Sequence, residues 1–188
     1  MKKMMSTAAL LGILLAPSFS QAGWNPFHTE TASKQDIHNP EVAETIANFK
    51  NTDPKLKLFF EKAYGYAVFP TVGKGGIWIG GAYGKGEVYK RGKLIGSSSL
   101  TQLTIGLQLG GQAYSEIIFF KDKKTLDQFT NGSFAFDAQA SAVAVTAGAS
   151  TNADYNKGVA VFTRAKGGLM YEASVGGQKF TFQPVTPK

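Results

Sequence analysis

The chain has 188 residues, no cysteine, and 20 lysines and arginines against 13 aspartates and glutamates, a formal net charge of +7. Without cysteine there is no disulfide scaffold, no lipid anchor on a cysteine and no thiolate nucleophile. The positive excess suits an anionic partner.

The first 22 residues read as a secretory signal peptide: Lys2 and Lys3, an apolar run from Ala8 to Ala16, then small residues at Ser20 and Ala22. The run is too short to span a bilayer. Cleavage before Gly23 leaves 188 − 22 = 166 residues and 20 − 2 = 18 basic against 13 acidic side chains, a net charge near +5. That is enough chain for one domain. The paired lysines suggest a bacterial export signal, so the expected destination is the periplasm, as a protein that is not a lipoprotein. There phospholipid headgroups are the more plausible anion, since no nucleic-acid signature accompanies the charge.

Residues 23–39 are polar, with Pro26 early, and read as a flexible leader before a single domain over 40–188. Asn39-Pro40 is a helix start, and Val42, Ile46 and Phe49 recur at helical spacing to about Lys50. Asp53-Pro54 repeats that signal, with Leu56, Phe59, Phe60 and Ala63 on one stripe, ending near Gly65. The character then turns to β, with strands predicted at Tyr66–Phe69, Ile77–Ile79, Gly86–Tyr89 and Leu103–Leu109, separated by glycine clusters. Ile117–Phe120 reads as a strand buried on both faces. Asp122 caps a short helix carrying Leu126 and Phe129, closed by Asn131-Gly132. Phe134 and Phe136 alternate into Ala142–Val145, and small residues follow from Thr146 to Thr151.

The stretch GYAVFPTVGKGGIWIGGAYGKG, Gly65 to Gly86, holds eight glycines. A phosphate loop would need G-x-x-x-x-G-K-[ST]. Around Gly73-Lys74 the leading position is Val68 and the trailing one Gly75; around Gly84-Lys85 they are Ile79 and Gly86. The dinucleotide pattern fails where its third glycine would be Trp78 or Tyr89. Nucleotide binding is not expected. The stretch is echoed instead, because GVAVFTRAKGG at Gly158 to Gly168 repeats GYAVFPTVGKGG one residue shorter. Two strand-turn-strand units would need glycines for positive φ and close approach, which makes them architectural. The expected fold is α+β: N-terminal helices on a glycine-rich, mostly antiparallel sheet curling toward a barrel or sandwich.

The runs GYAVFPTVGKGG, IGGAYGKGEVY, SLTQLTIGLQLGGQAYSEIIFF, FDAQASAVAVTAGAS and GVAVFTRAKGGLMYEASVGGQKF, over nearly all of Tyr64 to Phe182, resemble the SYLF domain family. The resemblance implies a non-enzymatic module that binds membrane lipid. It implies phosphoinositide binding for eukaryotic members and actin-filament binding for some, with bacterial members commonly exported. Export separates this chain from actin and from cytoplasmic phosphoinositides, so anionic bacterial phospholipid is the expected partner, with no cofactor. In the family the lipid contact is associated with a basic amphipathic segment before the sheet, a place taken here by Pro40 to Tyr64.

Two basic groups are candidates for that contact. Lys55, Lys57 and Lys62 flank the stripe holding Phe59 and Phe60, the pattern of an interfacial helix, with core packing as the alternative. Lys85, Lys90, Arg91 and Lys93 surround a hairpin tip, where each charge near an anionic surface adds roughly 1 kcal/mol; solvated edge protection is the alternative. Lys74, Arg164 and Lys166 occupy corresponding turns of the two copies and converge if the copies lie side by side.

Enzyme constellations are weak: no G-x-S-x-G elbow surrounds Ser97 to Ser99. His28 and His38, with Glu30 or Asp36, lack fixed geometry for a metal, while Glu116 and Glu172 are a candidate buried pair. The rival expectation is a soluble periplasmic carrier or hydrolase whose β region encloses a small apolar ligand against Trp78, Tyr83 and Tyr171.

Overall fold

The computed structural model describes residues 39–76, 79–105, 112–136, 141–167 and 173–186. Helix α1 (Pro40–Thr52) begins where the Asn39 side chain accepts the Glu41 N–H at 3.0 Å and proline fills the first position. It ends at Asp53, which also caps a 3-10 turn, Pro54–Leu56, leading into α2 (Lys57–Lys62). Asp53 is buried. One carboxylate oxygen accepts the Lys55 N–H at 3.1 Å and the other the Ser150 N–H at 2.7 Å, tying the helices to a second 3-10 turn, Ala149–Asn152. Burial alone would raise this carboxyl; backbone donors from Ser150, Lys55 and Gly148 outweigh it and hold the pKa below the ordinary value.

The strands are β1 (Gly65–Gly76), β2 (Ile79–Lys90), β3 (Lys93–Ile105), β4 (Gln112–Phe120), β5 (Ser141–Ala144), β6 (Val159–Ala165), β7 (Ala173–Ser174) and β8 (Lys179–Pro184), with α3 (Lys123–Thr130) between β4 and β5. Their spatial order is β7-β5-β6-β4-β1-β2-β3-β8, antiparallel throughout except for β5 beside β6. The two edge strands are consecutive in sequence, joined only by Val175–Gln178. Laid flat, seven steps of about 4.8 Å would separate them by roughly 34 Å. The linking residues span at most about 18 Å. The sheet therefore curls until its edges approach, and Ala135 adds an isolated bridge to Lys179. This is the α+β, mostly antiparallel, curved sheet that the sequence predicts.

The glycines serve close approach at Gly86 and positive φ at Gly158 and Gly167 (φ 86° each), as expected, but they do not separate short strands. Gly73, Gly75 and Gly76 lie within β1, and Gly80, Gly81, Gly84 and Gly86 within the single strand β2, where two short strands were predicted. Gly86 is a close approach: a Cβ there would collide with the Val68 carbonyl and stand 2.7 Å from the Phe69 ring. Beside it β1 changes register around Pro70, which has no N–H to give a neighbour. The predicted strand Leu103–Leu109 falls at the end of β3; residues 106–109, like Ile77 and Trp78, lie outside the described residues.

The two echoed segments do not lie side by side. β4 stands between them, with Tyr66 opposite Phe119 and Phe119 opposite Ala160. In the echo Tyr66 corresponds to Val159, so the copies are offset by one residue. A one-residue slip in a strand exchanges its faces. Phe69 accordingly joins the inner core of the curl, while its counterpart Phe162 packs on the helix-bearing outer face.

The interior is filled by Ala67, Phe69, Val88, Leu100, Ile118 and Phe120 from the strands, closed by Phe180 of β8 and by Leu126 and Phe129 of α3. On the outer face Val42 and Phe49 of α1 and Leu56 are fully buried against Val68, Ile117 and Phe119. Each such side chain contributes about 1.5–3 kcal/mol. Residues 117–120 of β4 are thus covered on both faces, which explains the unbroken apolar run Ile117–Phe120.

Candidate functional site

The β2–β3 hairpin closes at Lys90 paired with Lys93, with Arg91 (φ 48°) and Gly92 (φ 76°) forming the two-residue turn. The Arg91 N–H donates to the Tyr64 carbonyl at 3.0 Å, the Tyr64 N–H to the Phe120 carbonyl at 2.9 Å, and the Lys121 N–H to the Gly158 carbonyl at 2.9 Å. These bonds align four chain segments along one end of the sheet. Lys62, Lys90, Arg91, Lys93, Lys121, Lys123 and Lys157 all lie on them or one residue or two away, and Lys124 follows Lys123.

The Tyr64 ring is the centre of this rim, 5.5 Å from the Lys90 ammonium and 5.2 Å from the Arg91 guanidinium. Nearby carboxylates are fewer than the basic side chains: Asp122, Asp127 and the exposed Glu61, which precedes Lys62 on α2. Asp122 accepts the Thr125 N–H and hydroxyl, each at 2.9 Å, and those bonds lower its pKa; Asp127 pairs with Lys123, whose pKa rises through that hydrogen bond. The helix residue Lys62 and the hairpin residues Lys90, Arg91 and Lys93 were two separate candidates in the sequence. The fold brings them to one rim. Lys121, Lys123, Lys124 and Lys157 were missed, because only the strand order reveals that the β4–α3 turn and the turn before β6 lie at the same end of the sheet as the hairpin.

The remaining candidates lie elsewhere. Lys55 donates to the Thr151 hydroxyl at 2.9 Å, and Lys57 is exposed on α2. Phe59 and Phe60 point inward: Phe59 packs 5.0 Å from Phe162, and Phe60 packs 4.8 Å from Phe119 and 5.1 Å from Tyr66. The apolar side chain that α2 does expose is Leu58, four residues before Lys62 and 51% accessible. Lys85 is exposed on the outer face of β2, in the same row as Tyr83 and diagonal to that of Leu103 on β3. Tyr83 therefore faces outward and lines no interior, while Trp78 and Tyr171 lie outside the described residues.

Lys74, Arg164 and Lys166 do not converge. Lys74 is paired with Ala82, whose side chain belongs to the inner core, whereas Lys166 donates to the Thr71 hydroxyl at 2.6 Å on the outer face, beside Arg164. The intervening strand β4 and the opposite faces keep them apart.

Glu116 is fully buried in β4, between Phe69 on one side and Thr163 on the other. Gln178 donates to it at 3.0 Å and to the Tyr114 hydroxyl at 3.3 Å. Burial pushes the Glu116 carboxyl up to about 8 against the opposing pull of the Gln178 bond; burial and the neighbouring Glu116 charge raise the Tyr114 phenol. Glu172, its expected partner, and the four leader residues considered for a metal lie outside the described residues. Among the described residues no helix is long and apolar enough to cross a membrane.

The sequence model of the family described as Las17-binding protein actin regulator (Ysc84), which is the SYLF domain, matches residues 101–184. This chain carries a SYLF domain. Beta cell expansion factor A of Aeromonas veronii is similar to it, 30% identical over 154 residues, which is 80% of this chain and 58% of that protein. The chain thus spans about three fifths of that relative's length. The physical unit is larger than the matched interval. Strands β1 and β2 lie in the middle of the sheet between β4 and β3, so residues 101–184 of this SYLF domain omit the strands that join its two halves.

Proposed function

We propose that this protein is an exported, non-enzymatic SYLF protein that binds anionic phospholipid surfaces peripherally, with the Tyr64 rim as its electrostatic face and Leu58 as a shallow apolar insertion. The carrying observation is the gathering of Lys62, Lys90, Arg91, Lys93 and Lys121 on chain segments tied together at one end of the sheet, with Lys90 and Arg91 against the Tyr64 ring and the exposed Leu58 four residues before Lys62. A surface with basic side chains at headgroup level and one apolar wedge binds anionic bilayers reversibly. The family is associated with lipid binding and with actin-related roles. Lipid binding is the role we extend to this chain, because its first 22 residues have the pattern of an export signal.

Co-sedimentation with vesicles tests this reading. Vesicles containing phosphatidylglycerol or cardiolipin should retain the protein at low salt and release it as ionic strength rises, whereas purely zwitterionic vesicles should not retain it through the rim. Absence of binding to anionic vesicles at low salt would sink the proposal.

One observation favours a second reading, a carrier of a small apolar ligand. Phe134, Phe136, Val143, Val161 and Phe162 line a pocket of about 260 Å³ where β5 meets β6. Binding of a fatty acid that is indifferent to salt and is lost in Val161→Trp would support that reading in place of the first.

A further inference from the structure

A cleft on the outer face, toward the end of the sheet opposite the Tyr64 rim, has walls of opposite charge. α1 contributes Glu41 and Glu44 on one side; β6 and the residue that follows it contribute Arg164 and Lys166 on the other. The floor is polar but closed: Thr45 and Ser115 are buried, and the Ser115 hydroxyl is spent on the Pro70 carbonyl at 2.7 Å. The volume is about 130 Å³. That is roughly the share of four waters, room for a small polar molecule and too little for an acyl chain.

The charges do not neutralise each other across the gap. Among the described residues the ion pair is Lys123 with Asp127, so Glu41, Glu44 and Arg164 face the cleft without a salt bridge, and Lys166 meets only the Thr71 hydroxyl. An occupant bearing both signs would satisfy both walls at once. Arg164, with its planar fork, and Lys166 suit a phosphate better than a single carboxylate. Two carboxylates on one helix suit a primary ammonium, which has three N–H donors to share between them. A quaternary ammonium has none, and is recognised by aromatic cages. The aromatic ring in this lining is Phe49, fully buried beneath the cleft.

We propose that this cleft binds a phosphate carrying a primary ammonium a few bonds away, the chemistry of phosphoethanolamine, with Arg164 and Lys166 on the phosphate and Glu41 and Glu44 on the ammonium. The site is independent of the Tyr64 rim. Its ligand is either a phospholipid headgroup or the free phosphomonoester.

Calorimetry on the folded chain with phosphoethanolamine, phosphocholine and inorganic phosphate tests the chemistry. Phosphoethanolamine should bind at least tenfold more tightly than either of the others. Glu41→Gln with Glu44→Gln should erase that preference, and Arg164→Gln with Lys166→Gln should abolish binding, with thermal melts showing each variant folded. Vesicles of phosphatidylcholine with and without phosphatidylethanolamine separate the sources: retention that rises with phosphatidylethanolamine assigns the headgroup, and binding of the soluble ester without such a rise assigns the free ligand. Equal affinity for all three soluble compounds, together with no effect of phosphatidylethanolamine, overturns the proposal. Loss of the acidic pair should leave retention on phosphatidylglycerol vesicles unchanged or stronger, so a failure here is distinct from a failure of the rim.

Discussion

The side-chain amide of Gln178 lies 3.0 Å from the Glu116 carboxyl group, so the turn linking the two edge strands is fastened to the central strand β4 by a hydrogen bond to a fully buried acid. Val175 and Gln178 of that turn are themselves fully buried, and Gln102 of β3 donates to the Gly176 carbonyl at 2.8 Å. The latch is polar within an apolar interior.

Glu116 gives stability a pH dependence of definite sign. Its pKa is near 8 in the fold against 4.5 when unfolded, so the folded state holds the extra proton. This contribution is fully present below about 4.5, declines as pH rises toward 8, and is lost above it, with a slope of up to about 1.4 kcal/mol per pH unit. Urea unfolding of Glu116→Gln, compared with the parent across pH 5 to 9, should remove that part of the slope. An unchanged slope would show that Glu116 is not buried as a neutral acid.

Replacing Lys90 by Gln, Arg91 by Asn and Lys121 by Gln together should weaken retention on anionic vesicles by roughly two orders of magnitude at low salt and flatten its salt dependence. Asparagine is chosen at position 91 because it tolerates the positive φ found there. Leu58→Ser should weaken binding several-fold at every salt concentration, since apolar insertion is not screened. Equal binding by the triple variant would place the contact elsewhere.

Asp53 serves two helical ends and one distant turn. Asp53→Ala should cost about 2–3 kcal/mol in chemical denaturation, because it removes a cap and leaves the buried Ser150 N–H without its partner. Asp53→Asn should retain part of this.

The glycines divide by what surrounds them. Gly86→Ala should cost about 2 kcal/mol or more, through collision with the Val68 carbonyl and the Phe69 ring. A Cβ at Gly73 or Gly75 meets nothing within 4 Å, and alanine there should change stability by less than about 1 kcal/mol. Thermal melts of the three variants would order them.

Helix starts were legible because Asn39-Pro40, Asp53-Pro54 and Asp122 carry their own capping chemistry, and β4 was legible because both its faces are apolar. Strand lengths were not. Glycine-rich segments read as turns when only intrinsic propensity is considered, yet Gly84 and Gly86 are placed in β2 by backbone approaching from β1. The echoed segments could be seen, but not their exchanged faces, because β4 sits between them and shifts the register by one. The helix and hairpin charges were found singly; their union at Tyr64 depends on strand order, which no local pattern encodes.

The linkage of β7 to β8 also sets an order of events for a chain made from its N-terminus. The middle of the sheet is synthesised first and its edges last, so Phe69, Phe129 and Phe136 wait for Phe180, which arrives only at the end. Until then a growing chain holds its interior open, and a nascent chain halted before residue 179 should remain protease-sensitive where the finished protein resists.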